Sequence, residues 1–309
     1  MLILTWTIQL LAIPVLSPLF TGVIRKMKAR MQNRQGASIF QPYKDLRKLF
    51  NKDEIISQDA SWIFRFAPYL IFAVTLLIGA IIPIFSTYVA NQYLSNFLVV
   101  VYLLALATFF LALSGMDAGS AFGGFGSSRE MTIAALAEGG IIFSFLALAP
   151  ISRSGNLFEI AKTISTLQFM QFMPITLAFA GFMLALLAEN GRFPFDNPAT
   201  HLELTMIHEA MILEYSGKRL ALIEWAAANK SLIFMALAVN LFFPWGMASA
   251  GDGSVLLALL WFVAKVSVIC AGIAFVESTI AKFRYFRLPD LLFTSFILSV
   301  ITIGLITFF

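Results

Sequence analysis

One cysteine, Cys270, and two histidines are all that this chain of 309 residues offers to soft or borderline metals. A lone cysteine excludes a disulfide framework, a CxxC pair and a thiolate set for zinc or an iron–sulfur cluster, so any redox centre must sit on another subunit. Charge is scarce as well. Asp, Glu, Lys and Arg together make 12% of the chain against 60% apolar residues, with a mean hydropathy of +0.87. That balance excludes a soluble globular domain and indicates a polytopic membrane protein. The net charge of +4 and pI near 9.2 reflect bases flanking membrane helices, not a nucleic-acid partner. No basic n-region precedes the first apolar run and no small-residue cleavage site follows it, so it reads as a retained first helix. There is no internal repeat, low-complexity tract or dividing linker; residues 1–309 read as a single integral membrane domain.

What is present is a series of eight apolar runs of about 20 residues, the length that crosses a hydrocarbon core. They lie near Leu2 to Ile24, Pro68 to Tyr88, Phe97 to Gly115, Glu130 to Pro150, Pro174 to Glu189, Ser231 to Ser249, Ser254 to Glu277 and Asp290 to Phe308. The fold class expected is all-α, with eight transmembrane helices. Of the 21 Lys and Arg, all but Arg153, Lys162 and the intrahelical Lys265 fall on one alternating set of loops. The positive-inside rule then puts both termini outside the cell membrane and residues 25–67 and 190–230 in the cytoplasm. Within 25–67, Tyr43, Leu46, Leu49 and Phe50 recur at helical spacing with Lys44, Arg47 and Lys48 on other faces, which predicts an interfacial amphipathic docking helix. A solvated basic loop is the plainer alternative.

Glu138, Glu189, Lys265 and Glu277 fall within or at the ends of apolar runs, where a charge costs at least about 2.5–3.5 kcal/mol near the bilayer centre. Glu138 is expected on the order of 12 Å from the cytoplasmic end of its helix and Lys265 on the order of 18 Å deep. Such groups suit a proton relay; equally, Glu138 and Lys265 could satisfy each other as a buried pair. Glu224 and Lys230, flanking "WAAA", read as interfacial.

The segment Glu189 to Arg219, "ENGRFPFDNPATHLELTMIHEAMILEYSGKR", concentrates five acids, three bases and both histidines. Pro194 and Pro198 cannot continue a helix and Gly191 relaxes the backbone at the end of the fifth span. From Thr200 to Leu213 there is no Pro or Gly, and His201, Thr205 and His208 share one helical face. HExxH is absent and no third ligand is near, so no metal site is assigned. Gly217 predicts a break before the next helix.

"ENGRFPFD", "EYSGKR" and "QPYKDLRKLF" occur at the loops the span count expects, and together resemble the eight-helix subunit of respiratory complex I that joins the membrane arm to the peripheral arm and roofs the quinone cavity. "LSGMDAGSAFGGFGSSRE" and "FVESTIAKFR" look like the branch found in formate hydrogenlyase and hydrogenase-4 complexes, the membrane-bound group 4 [NiFe]-hydrogenases. The resemblance implies a proton path through Glu138, Glu189, Asp196, Glu203 and Glu214, joined in the hydrogenase branch by Lys265 and Glu277. It also implies docking of the peripheral arm on Arg25, Arg34, Gln41, Pro42, Asp45 and Lys48, and on Tyr215, Ser216 and Gly217. After "PFD" the family commonly has three carboxylates at alternate positions; here these are Ala199, His201 and Glu203. Two acids are lost and two histidines gained, so His201 and His208 join the proton-path candidates.

These features lead to a non-catalytic coupling subunit of a membrane-bound oxidoreductase, holding no cofactor itself. Implied partners are hydrogenase-like large and small subunits, an iron–sulfur subunit and antiporter-like membrane subunits, with the [NiFe] centre and iron–sulfur clusters on the peripheral ones. A quinone-chamber subunit, with quinone bound, is the alternative. An autonomous ion transporter is a third reading, against which the long docking segments argue, and a purely structural anchor a fourth, against which the intramembrane charges argue.

Overall fold

The computed structural model describes residues 2–57, 59–87, 94–168, 172–197, 206–248 and 255–308. His201 and Glu203 lie outside the described residues. The helices run in the order α1 (Leu2–Met31), α2 (Gln41–Phe50), α3 (Trp62–Ile81), α4 (Phe97–Asp117), α5 (Ala121–Ser152), α6 (Leu157–Ser165), α7 (Ile175–Glu189), α8 (His208–Ile212), α9 (Gly217–Phe242), α10 (Val255–Thr279) and α11 (Leu288–Phe308), the last entered through a 3-10 turn, Tyr285–Arg287. Among the described residues there is no strand, only two isolated bridges, Ser86 to Ala248 and Asn96 to Asn156. The chain is an all-α polytopic membrane protein. Seven of its described helices are long and apolar enough to cross a bilayer. The fifth expected span is the shorter α7, 15 residues or about 22 Å.

Helix starts follow local chemistry. Ser61, Asn96 and Asn156 accept the N–H two residues on (3.1, 3.0 and 2.9 Å), capping α3, α4 and α6. Asp117 at the end of α4 accepts from Ser61 N, Ser61 Oγ and Phe64 N, tying two helix ends together. At the centre, α5 packs on α4, α7 and α11 through small residues. A Cβ on Gly181 would stand 2.8 Å from Ser295 O, and Ser144 and Ser299 share a hydrogen bond of 2.9 Å. Helices in lipid gain by such close approach, because apolar burial drives nothing between them there.

Several span boundaries differ from the expectation: α3 and α9 stop short of theirs, at Ile81 and Phe242, and elsewhere helices outrun their apolar stretch. α1 continues past Ile24 to Met31, α5 begins at Ala121 in place of Glu130, and α9 begins at Gly217 in place of Ser231. The predicted cytoplasmic loop 190–230 therefore ends as a loop at Ser216, and Glu224 and Lys230 lie within α9. Glu138 lies correspondingly further into its helix than expected. The helix predicted in 25–67 is α2: Pro42 is buried, Tyr43 Oη donates to Val15 O, and Phe50 meets Trp225 edge-on at 6.2 Å. Lys44, Arg47 and Lys48 are exposed. Gly191 takes φ +55° where α7 stops, and Gly217 takes φ +54° as the first residue of α9.

Candidate functional site

The helix ends that carry the basic loops gather on one face of the bundle and enclose a cavity of about 460 Å³. One buried charged pair on its wall joins two helices. Lys230 of α9 places Nζ 2.8 Å from Glu189 Oε2 at the end of α7 and donates to Thr108 Oγ1 of α4 at 3.2 Å. The Glu189 side chain is 3% exposed, and its second oxygen, Oε1, is buried without a hydrogen-bond partner among the described residues. Glu130 of α5, also buried, lines the same cavity and lies in the field of Lys230 and Glu189. Two carboxyl groups thus share one buried wall with a single ammonium, which offsets both of them while they oppose each other.

A pair of cations on one carboxylate closes the cavity toward α10. Glu277, 2% exposed, accepts from Lys28 and Arg192, each at 2.9 Å. A fourth buried carboxyl group organises the loop after α7: Asp196 accepts from Lys282 Nζ (2.6 Å), Asn197 N (2.8 Å), Ile207 N and His208 N (both 3.3 Å). It therefore fixes where α8 begins. α8 in turn brings His208 and Glu209 to the cavity wall, with Glu224, Arg25 and Arg34 also lining it. Burial pushes the His208 imidazole down to about 4, with Lys230 acting in the same direction, so it is neutral at physiological pH. Burial pushes the Glu209 carboxyl up to about 7, with Glu224 and Asp196 adding to the shift and Arg25 opposing it.

Of the sequence-predicted proton-path residues, Glu189, Glu277 and His208 meet in this cavity. Asp196 adjoins it through the His208 amide. Glu138 is half-buried on α5, outside the lining but in the field of Glu189 and Lys230, and it does not pair with Lys265. Lys265 stands near the middle of α10, about three turns from Glu277, where its ammonium donates to Asn240 Oδ1 (2.9 Å) and Phe243 O (3.0 Å) and caps the C-terminus of α9. Glu214 is exposed and off the cavity.

The docking candidates divide in two. Arg25, Arg34 and Lys48 are exposed; Asp45 accepts from Gln41 at 2.8 Å. Tyr215 is 4% exposed, stacks on Phe64 at 3.9 Å and donates to its carbonyl at 2.9 Å. Ser216 exchanges two hydrogen bonds with Ile55, Arg219 pairs with Glu54, and a Cβ on Gly217 would meet Asp53 O at 2.8 Å. These residues join the two polar loops into one platform.

Sequence reasoning missed Glu130, Lys230, Arg192, Lys28 and Glu209. The available signal was spacing. Lys230 lies about thirteen residues along the helix that Gly217 opens, and Glu130 precedes Glu138 by about two turns on the same helix.

The chain matches, over residues 4–308, the family model described as NADH dehydrogenase. It is 34% identical over 292 residues to hydrogenase-4 component C of Escherichia coli, covering 94% of this chain and 91% of that protein. Against formate hydrogenlyase subunit 4 of the same organism it is 31% identical over 290 residues, 94% of each. An NADH-quinone oxidoreductase subunit of Syntrophotalea carbinolica is 28% identical over 284 residues, covering 85% of this chain and 82% of that protein. Among solved structures, a chain of the membrane-bound sulfane sulfur reductase, an archaeal respiratory membrane complex, has the same fold, with a TM-score of 0.85, 20% identity and 99% of both chains covered. The helical architecture, the separated motifs and these matches agree: the chain belongs to the NADH dehydrogenase family, in the part of it that holds the formate hydrogenlyase and hydrogenase-4 membrane subunits.

Proposed function

We propose that the chain is the non-catalytic coupling and anchoring subunit of a hydrogenase-type oxidoreductase, linking redox chemistry in a peripheral arm to proton or sodium movement by antiporter-like membrane neighbours. The observation that carries this reading is the Glu189–Lys230 pair at 2.8 Å with Glu130 beside it, inside a cavity at the platform face. A structural anchor has no need of several buried ionisable groups in contact with one cavity, whereas a relay requires groups whose charges depend on one another. In this reading the basic face is cytoplasmic, both termini are outside the inner membrane, and the [NiFe] centre and iron–sulfur clusters belong to the peripheral large, small and iron–sulfur subunits seated on the platform.

Within the chain, a charge arriving near α8 changes the proton occupancy of Glu209, which lies in the field of Glu224, Asp196 and Arg25. The altered field weakens or strengthens the hold of Lys230 on Glu189. Glu138, further along α5, feels both groups and passes the change toward the bundle surface. Replacing Glu189 with Gln should leave the complex assembled and its electron transfer intact, while ion movement per turnover in sealed vesicles collapses. Full pumping in both E189Q and E138Q would sink the proposal.

The alternative, a quinone chamber, is favoured by the apolar part of the same cavity: Ile71, Leu104, Leu111, Ile212 and Ile223. This wall suits an amphipathic ring beside charged groups. Quinone co-purifying with the complex, and turnover blocked by a quinone-site inhibitor, would select it.

A further inference from the structure

A second cavity, of about 350 Å³, opens on the basic face between α5, the approach to α8 and the α10–α11 connection. Its walls carry Arg129, Lys282, Arg284 and Tyr285, and no carboxylate among the described residues lines it. Lys282 is already engaged by Asp196 at 2.6 Å. Arg129 donates to Met206 O at 3.4 Å and lies 6.0 Å from the centre of the Tyr285 ring. Arg284 is exposed at the rim, with Arg287 one turn on. The neighbouring Asp290 belongs to the first turn of α11 and does not line the cavity.

Depth identifies the occupant. α11 has 21 residues, about 31 Å, so it needs its whole length to cross the hydrocarbon core, and its first residues stand at the headgroup boundary. Phe286 is 88% exposed and Phe283 40%, interleaved with Arg284 and Arg287, an arrangement in which rings enter the acyl boundary while guanidinium groups stay with phosphates. Beyond Asp290 in the first turn, the exposed residues of α11 include Phe293, Ile297, Val300 and Ile301, with Thr294 a polar member among them and its hydroxyl bonded to Leu291 O at 2.6 Å; this mostly apolar surface suits hydrocarbon chains and not an acidic peptide.

We propose that this cavity binds the phosphate head of an anionic phospholipid, with Arg284 as its principal charge contact and this α11 surface beside its acyl chains. The intact complex, exchanged into nanodiscs of phosphatidylcholine and phosphatidylglycerol and then washed in detergent, should retain phosphatidylglycerol measurable by lipid mass spectrometry. Retention should fall at least about fivefold in R284E, because loss of one basic residue at an anionic surface is worth about that factor and the reversed charge adds repulsion to it. R284K should restore it, which separates charge from a folding defect. Inorganic phosphate should not displace the lipid; displacement would reduce the site to a simple anion hole and overturn the assignment. A photo-crosslinker at position 286, with Arg284 untouched, should label lipid. Labelling of a partner polypeptide in its place, or undiminished retention in R284E, overturns the proposal.

Discussion

Lys230 and Glu189 meet at 2.8 Å from helices that are distant in sequence, and the meeting leaves Glu189 Oε1 without a partner among the described residues. Breaking such a pair by removing one member leaves an uncompensated buried charge, at about 3–5 kcal/mol. K230M should therefore lower the thermal midpoint of the assembled complex, and K230M/E189Q should recover part of the loss, because Glu189 is then no longer stranded and only Glu130 still lacks the ammonium. Additive losses in the double variant would show that the two groups are not energetically coupled.

Asp196 is the tether of the segment between α7 and α8. Its carboxylate takes the Ile207 and His208 amides and the Lys282 ammonium together. Hydrogen bonds to a charged group contribute about 1.5–3 kcal/mol each. D196A should raise amide hydrogen exchange across residues 206–212 strongly and D196N less, since the amide keeps an acceptor oxygen. Unchanged exchange in D196A would mean that packing of Met211 and Ile212 alone holds α8.

The hydropathy of the chain made its all-α, multi-span architecture legible, and Gly191 and Gly217 marked their breaks correctly. What stayed hidden was where helices extend beyond the apolar run. Lys230 reads as a helix-flanking base because a window average treats a charge at a span's edge as facing water, whichever way its side chain points. Only the bundle shows it turning inward to Glu189. Glu130 was hidden for the same reason, since "GGFGSSRE" looks like a loop when it is the first turns of α5. Lys265 is the converse case. Its depth suggested a relay, whereas two acceptors at the end of α9 account for its position. K265M should accordingly lower stability and leave ion movement per turnover unaltered, and a selective loss of transport would return Lys265 to the path.

Glu277 holds two cations, Lys28 of α1 and Arg192 of the loop after α7, both at 2.9 Å. Either cation alone still neutralises the carboxylate, so K28M and R192M should each be mild. K28M/R192M should be far worse than their sum, because only then is the buried carboxylate bare. A double-mutant cycle on the thermal midpoint measures the difference. Strict additivity would mean that the two cations act independently.

The pH response of α8 follows from neighbours shifted in opposite senses. Glu209, raised to about 7, holds its proton more tightly in the folded chain. Its contribution to stability is complete below the ordinary glutamate value and is lost as pH rises through about 7. His208, lowered to about 4, resists protonation. Its contribution is complete above the ordinary histidine value of about 6.5 and is lost as pH falls through about 4. Between roughly pH 6.5 and 4.5 the two slopes oppose, so a plot of thermal midpoint against pH should be nearly flat there and decline on both sides. E209Q should leave the midpoint rising with pH from about 4 to 6.5, and H208Q should leave it falling with pH from about 4.5 to 7. A carboxyl infrared band titrating near pH 7 and absent in E209Q would assign the proton directly, and would mark Glu209 as a group at the cavity wall, outside the spans, that exchanges a proton at physiological pH.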